Sequence, residues 1–402
     1  MMFSTLSILI NYSLCLDYLV QINPEVQISS VEQSSFYAEE SNKIQAKFQL
    51  GNVKGFHMKY SSFPSHLYKH SFVKTVEEDH KVSVNSPENV FHQTGLQYNG
   101  VNFISETFNN LYEANEINEK KSYFLQTEPV WSLDAIDQSS KNLDGRYFYR
   151  TSGGSNVNVF VIDTGIDTKH PEFEGRAIWG FNSADKVDTD CNGHGTHVAG
   201  TVGSANYGVA KKTRLVAVKV LACNGSGSYS GVIAGLEYVL KTSKRSKIPS
   251  VANMSLGGPK SKILNEALKE LVDNGVHVIV AAGNENSDAC NTSPASEPSV
   301  MTVGASSHTY EMAGFSNWGK CVNVLAPGTK ITSTLPGNKV GELQGTSMAS
   351  PAQAGVYALI LSENPTFSPD TMKKVTDMTC AKNIISKVKI DTPNCLTQSI
   401  VK

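Results

Sequence analysis

Four short segments rich in apolar and β-branched residues, Val157–Asp163, Leu215–Leu221, Val251–Leu256 and Val276–Ala282, alternate with longer segments of helical spacing. The helical segments are His194–Val202, Gly231–Lys241, Ser261–Asn274 and Ser347–Leu361. A strand that is apolar along its length has no face to give to water, so both faces must be covered, as in a parallel sheet. Parallel neighbours need crossover connections, and strand–helix alternation supplies them. The expected fold is α/β: a doubly wound, mostly parallel sheet with helices on both faces. A last helix is expected over Pro369–Met378, opening after the cap Ser368. Ligands of such sheets bind beyond the carboxyl ends of the strands. Polar residues at those ends are therefore the first functional candidates.

Asp163 ends the run Val159–Ile162 and is followed by Thr164-Gly165. An Asp-Thr-Gly can simply begin a turn. It is also the tripeptide of aspartic proteases, but these need two such carboxylates, and this 402-residue chain has one copy. Asn284 follows the run Val276–Val280 and the small residues Ala281-Ala282-Gly283. A side-chain amide there can donate to a developing oxyanion. Asn192-Gly193-His194-Gly195-Thr196-His197-Val198-Ala199-Gly200 reads as a helix with an imidazole at its start. Two histidines three apart can bind zinc, but the glutamate of H-E-x-x-H is absent. His194 suits a general base whose tautomer a carboxylate fixes, and His197 a structural role inside the helix. Gly345-Thr346-Ser347-Met348-Ala349-Ser350-Pro351 sets a serine at a small-residue helix start. A serine hydroxyl becomes a nucleophile only with a base beside it and donors for the oxyanion.

The order Asp163, His194, Ser347 is that of subtilisin among the convergent triads. The chain resembles the subtilisin-like serine proteases, most closely the proteinase K branch, from about Gln126 to Asn394. Gly208-Val209-Ala210-Lys211-Lys212 and Ser293-Pro294-Ala295-Ser296-Glu297-Pro298-Ser299-Val300 are stretches associated with that branch. The resemblance implies that Asp163, His194 and Ser347 are the triad, and that Asn284 and the Ser347 backbone N–H form the oxyanion hole. It implies a broad-specificity serine endopeptidase working through an acyl-enzyme, with no cofactor for the chemistry. It also implies that substrate lies as an added strand between Gly225-Ser226-Gly227-Ser228-Tyr229 and Ser255-Leu256-Gly257-Gly258. Glycine-rich edges expose backbone groups that pair with any extended peptide, so selectivity should be shallow. Tyr229 could wall an apolar pocket, hence a mild apolar or aromatic preference. A protease for paired basic residues would need an acid cluster, and Glu237 is the nearest carboxylate in sequence.

Seven cysteines are present, one of them, Cys15, near the amino terminus. The other six allow fifteen pairings. The resemblance implies Cys191–Cys223 and Cys290–Cys321, leaving Cys380 with Cys395. Such usage points to an oxidising compartment. Net charge is −2 with 18% charged residues, which implies no nucleic-acid or membrane-surface partner. Residues 1–20 read as a signal peptide, although Asn11 and Asp17 interrupt the apolar core; a buried strand or helix is the alternative. No later span is apolar and long enough to cross a bilayer. Residues 40–122 are expected to form a small α+β prodomain, a folding aid and intramolecular inhibitor, with apolar helical spacing over Phe103–Asn115. The catalytic domain follows at 123–402, and self-cleavage is expected between Lys120 and Gln126. The product would be a secreted monomer made as a zymogen, acting on proteins or peptides, or else a resident of a secretory or vacuolar lumen. Five of the ten histidines, His57, His66, His70, His80 and His92, fall in the prodomain, where protonation of buried members could loosen it in acid.

The chain departs from the family pattern in two places. After Pro351 the family usually has His-Val-Ala-Gly, whereas this chain has Ala352-Gln353-Ala354-Gly355, so a polar Gln353 needs a partner. Calcium in proteinase K-like enzymes is held by carbonyls equivalent to Pro298 and Val300 plus a carboxylate, and Asn323 stands at the carboxylate position. A neutral amide is a weaker ligand for a hard cation. Sequons begin at Asn224, Asn253 and Asn291, with Asn253 beside the substrate strand. A pseudoprotease or a coat protein of protease ancestry would normally have lost a catalytic member, and all four are present.

Overall fold

The structure, a computed structural model, describes residues 15–84, the short strand at 92–93 and residues 123–399. The chain divides into two compact units, Met1–His80 and Lys81–Lys402.

In the first unit β1 (Leu16–Ile22), β2 (Ile44–Leu50), β3 (Val53–Tyr60) and β4 (Val73–Glu78) form a sheet of order β2-β3-β1-β4. Every pairing in it is antiparallel. Two short helices, α1 (Ile28–Glu32) and α2 (Ser35–Glu40), lie in the connection from β1 to β2. Alternate residues of a strand share a face. Tyr18, Val20 and Ile22 accordingly pack in one core with Val31, Phe36, Phe56, Met58 and Val76. Leu16–Val20, expected to end a signal peptide, belong to β1, with Tyr18–Val20 paired to strands on both sides. Residues 1–14 and 103–115 lie outside the described residues.

Two of the five histidines expected in a prodomain lie beside carboxylates in this unit. His57 Nε2 lies 2.8 Å from Asp17 Oδ1 and 3.5 Å from Asp79 Oδ2. His66 Nε2 lies 3.1 Å from Glu40 Oε1, a carboxylate that also accepts from Lys43 and Tyr60.

The second unit opens with β5 (Lys81–Ser83) and β6 (His92–Gln93), followed by β7 (Tyr123–Thr127), α3 (Trp131–Asp134) and β8 (Arg146–Arg150). Then come β9 (Asn158–Asp163), β10 (Ala177–Asn182), α4 (His194–Gly203), β11 (Arg214–Lys219), β12 (Ser226–Ser228), α5 (Tyr229–Ser246), β13 (Ser250–Met254) and β14 (Gly258–Pro259). The remainder is α6 (Lys262–Asp273), β15 (His277–Ala281), β16 (Thr292–Ser293), β17 (Met301–Ser306), β18 (Val324–Pro327), β19 (Ile331–Leu335), β20 (Lys339–Leu343), α7 (Thr346–Glu363), α8 (Pro369–Thr379), β21 (Ala381–Lys382) and β22 (Cys395–Leu396).

A nine-stranded sheet runs β10-β11-β9-β13-β15-β17-β18-β22-β21. It is parallel from β10 to β22 and closes with β21 antiparallel. The doubly wound α/β reading is borne out. Each of the four expected strands is found within two residues of its expected ends, because β9, β13 and β15 are buried throughout and β11 everywhere but Arg214. Helix α5 runs five residues past its expected end, to a left-handed cap at Lys247. Helix α7 is buried on all sides from Thr346 to Leu361, which places it in the middle of the core rather than on its surface. Three disulfides, Cys191–Cys223, Cys290–Cys321 and Cys380–Cys395, close loops of this unit. Among the described residues no helix is long and apolar enough to cross a membrane.

Candidate active site

Three elements bring the sequence-predicted residues together at the carboxyl edge of the sheet. Asp163 is the last residue of β9, His194 the first of α4, and Ser347 the second of α7. His194 Nδ1 lies 2.8 and 3.0 Å from the two Asp163 oxygens, and both residues are buried. An Nδ1–H donated to that carboxylate leaves Nε2 as the lone-pair nitrogen, the tautomer a general base needs. Nε2 is buried and has no partner among the described residues. Asp163 is fixed in turn by the Thr164 N–H at 2.7 Å.

A carboxylate that sequence reasoning missed sets the position of the histidine. Asp190 accepts from the N–H groups of Asn192, Gly193 and Thr196 and from the Thr196 hydroxyl. It also accepts from Thr164 Oγ1 at 2.9 Å, and Thr164 Oγ1 accepts from the Gly195 N–H. The orphan donors at the start of α4 are thus tied to the turn that follows Asp163. An acid four residues before an expected helix start was the available signal. Gly195 permits this closeness, since a Cβ there would sit 2.1 Å from the Gly165 carbonyl oxygen.

Lys219, opposite Asp163 in the register of β11 and β9, was missed as well. It is fully buried and donates to the carbonyls of Thr164 and Leu221 at 2.8 and 2.9 Å, with Asp185 at 3.4 Å. Asp185 lies beside Cys191 and Cys223, but their sulfurs are joined to each other, which leaves no thiolate for a metal.

The serine end of α7 is built around a missing donor. Pro351 lies inside the helix and has no N–H, so the Ser347 carbonyl four residues earlier loses its helical partner. Ser255 Oγ replaces it, donating to Ser347 O at 2.8 Å and lying 2.9 Å from Ser350 Oγ. Sequence reasoning placed Ser255 in the substrate strand; its side chain supports the nucleophile. Asn253 Nδ2 donates to the same Ser255 oxygen from a fully buried position, which excludes a glycan at Asn253. The Ser347 hydroxyl donates to Ser255 O at 3.3 Å. Asn284 Oδ1 accepts from Thr346 N–H and Oγ1 at 2.8 and 3.0 Å, which orients the amide with Nδ2 as its donor. The Ser347 N–H belongs to the first turn of α7 and has no intrahelical acceptor to satisfy. The Asp163–His194 pair ends β9 and opens α4, while Ser347 and the Asn284 amide meet at the start of α7.

The expected substrate strands hold a peptide segment of the chain itself. β5 pairs antiparallel with β12, Ser83 opposite Ser226 and Lys81 opposite Ser228. On the other side Ser83 exchanges both backbone bonds with Gly257 at 3.2 Å, and Val84 N–H reaches Gly225 O at 3.0 Å. Gly225 leaves room for this segment, since a Cβ there would lie 2.8 Å from Val84 Cγ2. Val82 is buried within the groove. With this segment in place Tyr229 is fully buried, and its hydroxyl donates to Pro259 O at 2.6 Å. Glu237 pairs with Lys241 along α5, so no acid cluster faces the groove from it.

The family model described as "Subtilase family" matches residues 154–393, more than half of the chain. The chain belongs to the subtilase family. Over 260 residues this subtilase is 49% identical to "Subtilisin-like protease 6" of Arthroderma benhamiae, covering 62% of this chain and 63% of that protein. It is 50% identical over 251 residues to "Subtilisin-like protease 7" of Arthroderma otae, 61% of this chain and 62% of that one. The match therefore spans under two thirds of those relatives. A solved structure, "Crystal structure of a cold adapted subtilisin-like serine proteinase", superposes with a TM-score of 0.66 at 43% identity, over 69% of this chain and all of that one.

Both departures from the family pattern resolve on α8. Gln353 is fully buried, donates to Thr376 Oγ1 at 3.2 Å and accepts from the Thr397 hydroxyl. The polar residue behind the nucleophile is thus satisfied by a helix and by the C-terminal segment. The expected calcium ligands do not fit a divalent cation. The Pro298 and Val300 carbonyls both accept from Lys373 Nζ, and Asn323 Oδ1 accepts from the Thr302 N–H.

Proposed function

We propose that this subtilase is a secreted serine endopeptidase that forms an acyl-enzyme on Ser347 and is made as a self-processing zymogen. His194 Nε2 takes the hydroxyl proton as Oγ attacks a peptide carbonyl, and Asp163 holds the imidazolium that results. Asn284 Nδ2 and the Ser347 N–H receive the oxyanion. His194 then protonates the leaving amine, and water repeats the sequence to release the acid. The observation that carries this reading is the Asp163–His194 pair, with an unpartnered Nε2 at the edge where Ser347 opens α7.

The strand Lys81–Ser83 supports inhibition by the chain's own prosegment, since it fills the groove in the manner of a substrate. Self-cleavage falls between Lys120 and Gln126, and the pairing of Tyr123–Thr127 with β8 favours a cut before Tyr123. Pairing through backbone groups suits broad specificity, and buried Val82 a mild apolar preference. Three disulfides suit secretion or a secretory lumen. Expression of the full chain beside Ser347→Ala tests the reading: the wild type should mature to a form that begins at about Tyr123, and the variant should stay whole. Equal processing of both would remove self-maturation.

A further inference from the structure

Subtilases of the branch this chain resembles are expected to hold calcium between the carbonyls at Pro298 and Val300. We propose that in this chain the Lys373 ammonium does the work of that cation, joining the 298–300 loop to α8 by an internal charge. Nζ lies 2.7 Å from Pro298 O and 2.9 Å from Val300 O. Two carbonyl dipoles converging on one point need a positive centre, and an ammonium is a compact one with three donors. A calcium ion would need oxygens at about 2.3–2.6 Å and six to eight of them, which places it on the lysine nitrogen itself.

The remaining groups agree. The position where the resemblance expects a carboxylate carries Asn323, and its amide oxygen accepts from the Thr302 N–H at 2.8 Å. Glu297, the acid within the loop, accepts from the N–H and hydroxyl of Ser299 instead of reaching inward. Burial holds the Lys373 ammonium below its ordinary pKa, and Asp370 and Glu297 offset part of that. An ammonium carries one charge where calcium carries two, so losing the carboxylate at 323 and gaining Lys373 are matched changes.

The position of Lys373 gives the exchange a structural consequence. One turn later on α8, Thr376 bonds to Gln353 of α7. Helix α8 therefore grips the 298–300 loop with Lys373 and the nucleophile's helix with Thr376. A calcium ion can be lost to dilution or a chelator, whereas a lysine cannot.

The test uses the full chain carrying Ser347→Ala, so that self-digestion does not enter, with melting followed in excess calcium and in excess EDTA. Lys373→Met keeps the aliphatic stem and should lower the Tm by roughly 3–6 °C equally in both buffers. The double variant Asn323→Asp, Lys373→Ala should recover that loss in calcium alone, and should bind one more calcium than the parent in equilibrium dialysis. The proposal is overturned if Lys373→Met melts like the parent. It is overturned equally if the parent shows the same calcium-dependent rise as the double variant, or if the double variant gains no calcium.

Discussion

The start and the middle of helix α7 are held in different ways. At its start every contact serves the nucleophile: Ser255 satisfies the carbonyl that Pro351 orphans, and Thr346 orients Asn284. Further along, Gln353 is held by Thr376 of α8 and by Thr397. Gln353 stands where the family pattern usually has an apolar residue. Chemistry at the start of the helix would fix residue types to within a hydrogen bond, because acyl transfer needs base, hydroxyl and oxyanion donors together. Support in the middle needs only that buried polar groups be satisfied, and many side chains can do that.

This contrast can be broken from the front. Ser347→Ala should abolish peptide hydrolysis, by about a millionfold in kcat, a magnitude measured in subtilisin itself. Asn284→Ala should cost about a hundred- to a thousandfold in kcat, again a subtilisin figure, with KM changing little. Kinetics on a chromogenic peptide check both, and an Asn284→Ala enzyme within tenfold of wild type would remove that residue from the oxyanion hole. Ser255→Ala should affect both activity and stability, since the Ser347 carbonyl is left buried without a donor, a loss of about 1–3 kcal/mol. A denaturant midpoint and kcat measured together decide whether it acts on both.

In the middle of the helix the effects should separate. Gln353→Leu should lower stability by about 1–3 kcal/mol while kcat stays within roughly twofold, because the hydroxyl of Thr397 loses its acceptor far from the reacting atoms. A large loss of kcat without loss of stability would join the two regions again. A further expected effect is with pH. Burial pushes His197 down to about 3 and His277 down to about 4, against an ordinary value of 6.5. Between those values and 6.5 the unfolded chain binds more protons than the folded one. Stability is therefore full above about pH 6.5 and is lost as pH falls toward 4 and 3. Denaturant midpoints across that range should fall with acid, and His277→Gln should flatten the slope.

The same contrast explains what was legible in the sequence. The strands were readable because β9, β13 and β15 are buried on both faces and admit few polar residues. Asp163, His194, Ser347 and Asn284 were readable because acyl transfer demands those types at strand ends and helix starts. Asp190 was not, since an acid in a loop reads equally as a solvated turn until its N–H partners are known. Leu16–Val20 were ambiguous for a physical reason: a leader's apolar core and a central strand ask for the same residues. Lys373 looked like one more basic residue on an amphipathic helix, and only the Pro298 and Val300 carbonyls give it a role. Gln353 was recognised as a buried polar residue in need of a partner, but the partners lie 23 and 44 residues away along the chain.

The central claim is that Asp163, His194 and Ser347 form a working acyl-transfer site despite the altered support behind it. A fluorophosphonate reacts only with a serine whose base is in place. Labelling of the mature protein followed by peptide mass spectrometry should find the phosphonyl group on Ser347 alone, at a rate unchanged in Gln353→Leu and lost in His194→Ala. A wild-type protein that takes no label, or takes it on another serine, would contradict the account.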